Sequence, residues 1–323
     1  MNGWIRRTTR AVLAAAMSIA CLAAHAQKLD GPLRVVVGYA PGGASDRAAR
    51  LVGEALQAKY GINVIVENKA GAGGRLAAQQ FRQATATDNV LMLGNPAVIT
   101  VAPLVFKDNR YDPEVDFVPV SLVTGYEFGV AVGPQVPVRE ARHLVAWLKA
   151  NPEKAFFGVP ATGSLPHFFA LMLAERASVK ADVVGYKGSA PLSVELIGGQ
   201  IPVAIDTLDA LLPLHQRGRL KVLAVSGKTR SAFDQDIPTL KESGIDLVAS
   251  GWNAFFAPKA MPAEKVQALA QAIQTVMADP AVRKRFTDAS MEPMSLSRKQ
   301  TADLLKAYKA QWEPVVKRSG YEP

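Results

Sequence analysis

The sequence predicts an α/β protein with two lobes that meet at a hinge. Strand and helix patterns alternate along most of the chain, and its 323 residues exceed the length of a typical single domain. A strand pattern also returns near Gly251, after a full second set of strands and helices, so the first lobe is discontinuous in sequence. We place an export signal at 1–26, the first lobe at 27–127 plus 250–323, and the second lobe at 128–249.

The first 26 residues have the features of a secretory signal peptide. Three arginines and no acidic residue precede an apolar run at 11–24, which is shorter than the about 20 residues that span a bilayer. The run ends in Ala24-His25-Ala26, a pattern that signal peptidase accepts. We expect cleavage after Ala26 and a periplasmic location. A twin-arginine signal and a lipid anchor on Cys21 are the alternatives, although the residues before Cys21 fit a lipobox poorly.

The residue types exclude several classes of protein. Because Cys21 is the only cysteine, the mature chain contains no disulfide, no thiolate metal site and no cysteine nucleophile. The histidines His143, His167 and His215 are too widely spaced to predict a metal site, and the common nucleotide and hydrolase motifs are absent. We therefore expect no cofactor, no metal and no enzymatic activity. The net charge of +9 is scattered without interleaved aromatics, so we expect no nucleic acid partner.

The elements of the first lobe follow from apolar periodicity and from glycine and proline punctuation. The β-branched run at 33–37 predicts a buried strand, which Pro41-Gly42-Gly43 follows. In order, we predict strands at 33–37, 62–66 and 90–93 and helices at 47–60 and 75–82. The β-α-β-α-β order with right-handed crossovers makes these three strands parallel.

The middle of the chain repeats this alternation. We predict strands at 117–123, 128–132, 155–159, 182–184, 203–206 and 220–226, and helices at 139–149, 165–177, 191–197 and 208–216. A last strand at 250–257 precedes helices at 263–278, 281–289 and 297–316. Because these final helices lack enough strands for a third lobe, we expect them to pack on the first lobe.

Two loops carry the residue types of an anion-binding site. The first loop follows the strand at 33–37 and reads Tyr39-Ala40-Pro41-Gly42-Gly43-Ala44-Ser45-Asp46. The second loop, in the other lobe, reads Val159-Pro160-Ala161-Thr162-Gly163-Ser164. Open α/β sheets bind ligands at such strand ends, where glycine admits close approach and free helix N–H groups attract anions. A capped helix start explains either loop alone, but the pair favours a ligand cleft between the lobes.

Neutral donors are expected to hold the anion, because neither loop contains lysine or arginine. These donors are the backbone N–H groups of Gly42, Gly43 and Ser164 and the hydroxyls of Thr162 and Ser164. Charge-assisted hydrogen bonds of this kind contribute roughly 1.5–3 kcal/mol each. Three or four of them support micromolar binding after the cost of ordering the partners.

Two other functions are open from the residues alone. A secreted hydrolase or isomerase would use His167 or Asp46, or a triad of Ser164, His167 and Asp206. Capping of the following helix explains Ser164 equally well, since it lies three residues before His167. An effector-binding domain of a transcription regulator shares this fold class, but the export signal and the lack of a DNA-binding helix pair argue against it.

At these loops the chain resembles the Bug family of periplasmic receptors, which are related to the tripartite tricarboxylate transporters. The resemblance rests on the aromatic-Ala-Pro-Gly-Gly loop with Asp46 three residues on, and on Val66-Glu67-Asn68-Lys69-Ala70-Gly71-Ala72-Gly73-Gly74. Tyr186-Lys187-Gly188-Ser189-Ala190-Pro191, Gly198-Gly199-Gln200 and the strand that ends in Asp206 also match. The likeness extends over 30–320.

The resemblance implies a type II periplasmic-binding-protein fold that captures a small carboxylate and holds it mainly by backbone N–H groups and waters. It also implies a monomer that serves an inner-membrane transporter of the tripartite type or a sensor. The expected ligand-binding residues are Tyr39, Ala40, Pro41, Gly42, Gly43, Ser45, Asp46, Thr162, Gly163, Ser164, His167 and Asp206.

The chain departs from the family pattern at two places. Ala161 stands where the second loop usually has glycine, and Thr207 stands where the family often has asparagine, with Asp209 two residues later. These departures leave open which carboxylate is bound.

Overall fold

A mixed sheet runs through the whole molecule in the computed structural model, which describes residues 31–321. Within these residues, ten strands form the sheet and helices cover it. The export signal and its cleavage site lie outside the described residues. No helix within the described residues is both long and apolar enough to cross a bilayer.

The strands are β1 Leu33–Val37, β2 Val64–Asn68, β3 Val90–Gly94, β4 Phe117–Val132, β5 Phe156–Val159, β6 Asp182–Gly185, β7 Val203–Thr207, β8 Lys221–Val225, β9 Ser250–Pro258 and β10 Glu292–Pro293. The helices are α1 Ala44–Tyr60, α2 Arg75–Phe81, α3 Ala102–Val105, α4 Pro113–Asp116, α5 Ala141–Ala150, α6 Leu165–Ala177, α7 Ser189–Gly198, α8 Leu208–Gln216, α9 Ala263–Met277, α10 Pro280–Asp288 and α11 Arg298–Arg318. Three single helical turns occur at Ala72–Gly74, Ala97–Val101 and Pro152–Lys154.

The sheet consists of two halves that share one long strand. In the first half-sheet β1 pairs in parallel with β2 and β3, as the crossover rule predicts, and β9 lies antiparallel between β3 and β4. In the second half-sheet β5 pairs in parallel with β6 and β7, and β7 and β8 run antiparallel to the end of β4. Both β1 and β5 are parallel strands whose carboxyl ends lead into a loop and a helix.

The prediction of two separate strands at 117–123 and 128–132 is wrong. One strand of 16 residues, β4, runs from Phe117 to Val132. Polar residues and a glycine interrupt its apolar pattern between Thr124 and Glu127, which obscures the strand in the sequence. Pairing with β9 from Thr124 to Glu127 satisfies the backbone there, so the strand continues without a break.

Ser226 joins the two places where the chain passes between the half-sheets. Its hydroxyl accepts a hydrogen bond from the N–H of Phe128 at 2.8 Å and donates to the carbonyl of Ala249 at 2.6 Å. Its backbone N–H donates to Phe128 O, and its carbonyl accepts from Ala249 N–H. Because the side chain is fully buried, these bonds hold both crossings in one register.

The last helices pack as expected on the first half-sheet, with one extension beyond it. Helices α9 and α10 lie against α1, whereas α11 lies over β4 and also reaches α6 in the second half. Stacked aromatic rings fix α11, with Tyr308 and Trp312 at 5.8 Å and the Tyr308 hydroxyl donating to Ser250 O at 2.7 Å. After the helix, the ring of Tyr321 lies 4.9 Å from that of His167. The C-terminal segment therefore contacts both halves.

Candidate functional site

Asp46 fixes the shape of the first loop. It is the third residue of α1, is only 2% exposed, and accepts hydrogen bonds from Gly42 N–H and Asn68 Nδ2 at 2.9 Å and from Arg50 Nε at 3.1 Å. Burial by itself raises the pKa of this carboxyl, but the bonds from Arg50, Gly42 and Asn68 outweigh it and lower the pKa below its ordinary value. Asp46 therefore stays ionised, and its oxygens are already engaged within the loop.

Backbone conformation and a tyrosine hold the rest of the first loop. Gly42 has a φ of 87°, which favours glycine. The hydroxyl of Tyr39 donates at 3.0 Å to Asn95 Oδ1 and lies 3.2 Å from Gly73 O, so the loop is tied to the glycine-rich turn after β2. Burial raises the pKa of Tyr39 to about 12, which keeps the hydroxyl protonated at neutral pH.

The first backbone N–H groups of α1 lie at the end of the first loop. Ala40, Pro41, Gly42 and Gly43 are exposed, whereas Ser45 is buried and donates to Asn253 Oδ1 at 2.7 Å. The first N–H groups of a helix have no acceptor inside it, so the start of α1 offers donors and a positive dipole end. Because the N–H of Gly42 already donates to Asp46, it is these later N–H groups of α1 that this loop leaves as donors.

The second loop is ordered by its own helix. Ser164 caps α6: its Oγ accepts from His167 N–H at 3.4 Å and donates to Ala161 O at 2.6 Å. The N–H of Ser164 also donates to Ala161 O, and the N–H of Gly163 donates to His167 Nδ1 at 2.9 Å. The N–H and the hydroxyl of Ser164, which the sequence assigns to ligand binding, are therefore bonded inside this loop.

His167 lies beneath the second loop, and its Nε2 takes no part in the hydrogen bond with Gly163. It is 6% exposed, and burial lowers its pKa below the ordinary value, so the ring is neutral at pH 7. Because Nδ1 accepts the N–H of Gly163, its proton resides on Nε2. Thr162 stays exposed and packs so closely on β6 that a Cβ at Gly185 would lie 2.5 Å from its methyl group. The loop rests on a strand position that has room only for glycine.

Two aspartates mark the second half of the site. Asp206 is the penultimate residue of β7, is 2% exposed, and accepts a hydrogen bond from the N–H of Thr207 at Oδ1 at 2.7 Å. Asp209, in the first turn of α8, forms an ion pair of 3.0 Å with Arg47 of α1. This pair joins the helix after the first loop to the second half-sheet. Burial raises the pKa of Tyr126, and Tyr39, Asp209 and Asp206 add to that shift.

Burial makes Asp206 an unusual carboxyl. It raises the pKa to about 7, with the charge of Asp209 adding to the shift and the nearby Ser189 hydroxyl and the N–H of Thr207 opposing it. A carboxyl whose pKa is higher in the folded than in the unfolded chain stabilises the fold at low pH. That stability is lost as the pH rises from about 4 towards 7.

The Asp206→Asn variant is expected to remove this pH dependence. Relative to the variant, the wild type should lose on the order of 3 kcal/mol of unfolding free energy between pH 4.5 and pH 8, because ionising a buried carboxyl is costly. Urea unfolding of the ligand-free protein at both pH values measures the difference. Asp182→Asn, at an exposed position of β6, is the matched control. Equal pH slopes for wild type and Asp206→Asn would contradict the assignment.

Four residues of this region were not among the expected ligand-binding residues. Arg47, Asn68, Asp209 and Asn253 all bond to one of the loops or across the halves. Asn253 lies 208 positions from its partner Ser45, and Asp209 lies 162 positions from Arg47. Charge was a signal for two of them. Arg47 and Asp209 carry opposite charges in the first turns of the helices that follow β1 and β7, which is compatible with an ion pair.

Comparisons with known proteins agree with this architecture. Residues 48–321 match the family model described as tripartite tricarboxylate transporter family receptor. A UPF0065 protein of Bordetella bronchiseptica is 32% identical over 100% of this chain and 96% of its own. A structure of an R. palustris protein with adipate has a TM-score of 0.84 and 28% identity, covering 90% of this chain and 98% of that one. MatC of Rhodopseudomonas palustris with bound malate has a TM-score of 0.78 and 26% identity, over 88% and 98%.

Proposed function

Because this chain belongs to the tripartite tricarboxylate transporter receptor family, whose members are periplasmic solute-binding receptors, we propose that it captures a small organic anion bearing a carboxylate. The similar R. palustris protein is seen with adipate and MatC with malate, which supports this ligand class. Members of the family are receptors rather than enzymes, and we extend this to the present chain. The anion lies between the first and second loops and leaves unchanged.

The observation that carries the proposal is the meeting of two helix N-termini across the sheet. Arg47 in the first turn of α1 touches Asp209 in the first turn of α8, so the carboxyl ends of β1 and β7 open towards one place. Parallel strand ends and helix N-termini are where α/β proteins bind anions. We assign the hydrogen bonds to the anion to neutral donors at the start of α1 and to the hydroxyl of Thr162, which is exposed.

We take the two half-sheets as the lobes of a hinged receptor. The first lobe then comprises 27–127 plus 250–323 and the second 128–249, and the Ser226 bonds lie at the two crossings between them. We further propose cleavage after Ala26, delivery of the ligand as a monomer, and a membrane partner of the tripartite transporter type or a sensor. Intact-mass analysis of the periplasmic fraction tests the cleavage site, and a lipidated product would contradict it.

Identification of the bound anion tests the function directly. Mass spectrometry of the acids that copurify, followed by calorimetry of each with emptied protein, should reveal at least one carboxylate with micromolar affinity. A ligand at 100 times its Kd that binds only the folded chain adds about 2.7 kcal/mol to the unfolding free energy. If no organic acid binds, or if the protein converts the acid that it binds, the receptor proposal fails.

Ligand binding is expected to draw the two lobes together. Small-angle scattering of the emptied protein, with and without the identified acid, should show a smaller radius of gyration when the acid is bound, because contacts from both loops favour the closed form. A variant that does not bind the acid serves as the control and should not become more compact. An unchanged radius of gyration at saturating ligand would contradict closure.

A further inference from the structure

Three buried polar atoms without a hydrogen-bond partner surround the ion pair between the lobes. The three atoms are Arg47 Nε, Asp209 Oδ1 and Asp206 Oδ2, all within the described residues 31–321. Roughly nine in ten buried polar groups in proteins are paired, so three orphans at one place indicate a site built for a polar partner. Asp206 is 2% exposed and the side chain of Asp209 is 9% exposed, so bulk water does not satisfy them.

Other polar atoms of these residues form hydrogen bonds within the protein. Each unpaired atom is therefore defined as a donor or as an acceptor. The guanidinium of Arg47 donates from Nη1 to Gly42 O at 3.1 Å and from Nη2 to Asp209 Oδ2 at 3.0 Å. Its buried Nε–H has no acceptor within the described residues. Asp209 therefore retains Oδ1, and Asp206, whose Oδ1 accepts from Thr207, retains Oδ2. The set consists of one donor from the first lobe and two carboxylate acceptors from the second.

This set is complementary to a particular kind of molecule. The Nε–H of Arg47, beside the donors at the start of α1, suits an oxygen of a ligand carboxylate. The two carboxylate oxygens need hydrogen atoms from the ligand, which an unsubstituted organic acid in its ionised form lacks. When Asp206 is ionised, two aspartates opposite one arginine leave an excess of negative charge, which an ammonium group offsets better than a hydroxyl.

We propose that Asp206, Asp209 and Arg47 make the receptor specific for acids that carry an amino or hydroxyl group beside the carboxylate, such as amino acids and hydroxy acids. This inference rests on the proposed function and adds the ligand class to it. Arg47 contributes to the affinity for the carboxylate, whereas the two aspartates decide whether the neighbouring substituent is a hydrogen-bond donor. An acid without such a donor leaves both acceptors unpaired, and that penalty is the basis of selection.

Matched acids that differ in one substituent test the proposal by calorimetry. One set is succinate, malate and aspartate, and the longer sets are glutarate and adipate with their hydroxy and amino counterparts. In at least one set, the hydroxy or amino member should bind at least tenfold more tightly than the unsubstituted acid. Equal or tighter binding of the unsubstituted member in each set that binds would overturn the proposal.

Conservative variants separate the roles of the three residues. Asp206→Asn and Asp209→Asn should each reduce the preference for the amino member over the unsubstituted acid by about tenfold. Arg47→Gln should weaken the members of a set by similar factors, because all share the carboxylate. Asp182→Asn, exposed on the same lobe, should change neither affinity nor preference. Thermal unfolding of each variant verifies that it is folded.

The outcomes also distinguish this inference from the function on which it rests. Failure of every acid to bind overturns the receptor proposal and the specificity with it. Binding without preference overturns the specificity alone, as does a preference that both asparagine variants retain.

Discussion

The Gly43→Val variant is expected to lose carboxylate binding by at least two orders of magnitude while the protein stays folded. Gly43 has φ −73° and ψ 168°, an extended conformation that valine adopts readily. A Cβ there would meet only Ala40 O, at 3.8 Å, so the fold accepts the side chain. The added bulk covers the donors at the start of α1, and the loss of two charge-assisted hydrogen bonds at roughly 1.5–3 kcal/mol each predicts at least a hundredfold effect.

Gly198→Val is the matched control for this prediction. Gly198 is exposed at the end of α7, has open space around its Cβ and needs no positive φ. The control should bind the tightest acid of the panel like the wild type, and both variants should show cooperative thermal unfolding. If Gly43→Val binds that acid within threefold of wild type, the ligand does not approach the first loop.

Replacement of Asp46 is expected to have the largest effect on stability. Asp46→Ala leaves Arg50, Asn68 and the N–H of Gly42 without their common acceptor. Loss of one partner of a buried pair costs about 3–5 kcal/mol, and because Arg50 is half exposed we expect about 2–3 kcal/mol. Urea unfolding at pH 7 measures the change. The loop should also loosen, so the affinity for the acid should fall.

The pH dependence of this effect has a definite sign. Because hydrogen bonds lower the pKa of Asp46 in the folded chain, its contribution is present at neutral pH and is lost as the pH falls below about 4. The difference between wild type and Asp46→Ala should therefore shrink at pH 3. Asp303→Ala, which removes an exposed partner of Lys299, should cost less than about 0.5 kcal/mol at either pH. A similarly small cost for Asp46→Ala would show that the loop does not depend on it.

Local patterns in the sequence were sufficient for the fold class and for most elements. The strand Leu33–Val37 and the helices Leu165–Ala177 and Leu208–Gln216 begin and end where apolar periodicity, caps and punctuation place them. These signals act between residues that are neighbours along the chain, so one sequence suffices to read them. The motifs of the two loops were likewise sufficient to indicate the receptor family that the comparisons then showed.

Only the tertiary structure decided how the loop residues are used. The sequence assigned Asp46 and the N–H groups of Gly42 and Ser164 to the ligand, whereas the structure bonds them to one another or to their own loops. Burial of Asp206, with the pKa that follows from it, depends on strands that pack around it. The pairing of Arg47 with Asp209 depends on two helices that are distant in sequence and meet across the sheet. Periodicity and capping report local conformation, but desolvation and the proximity of charges arise only when remote segments come together.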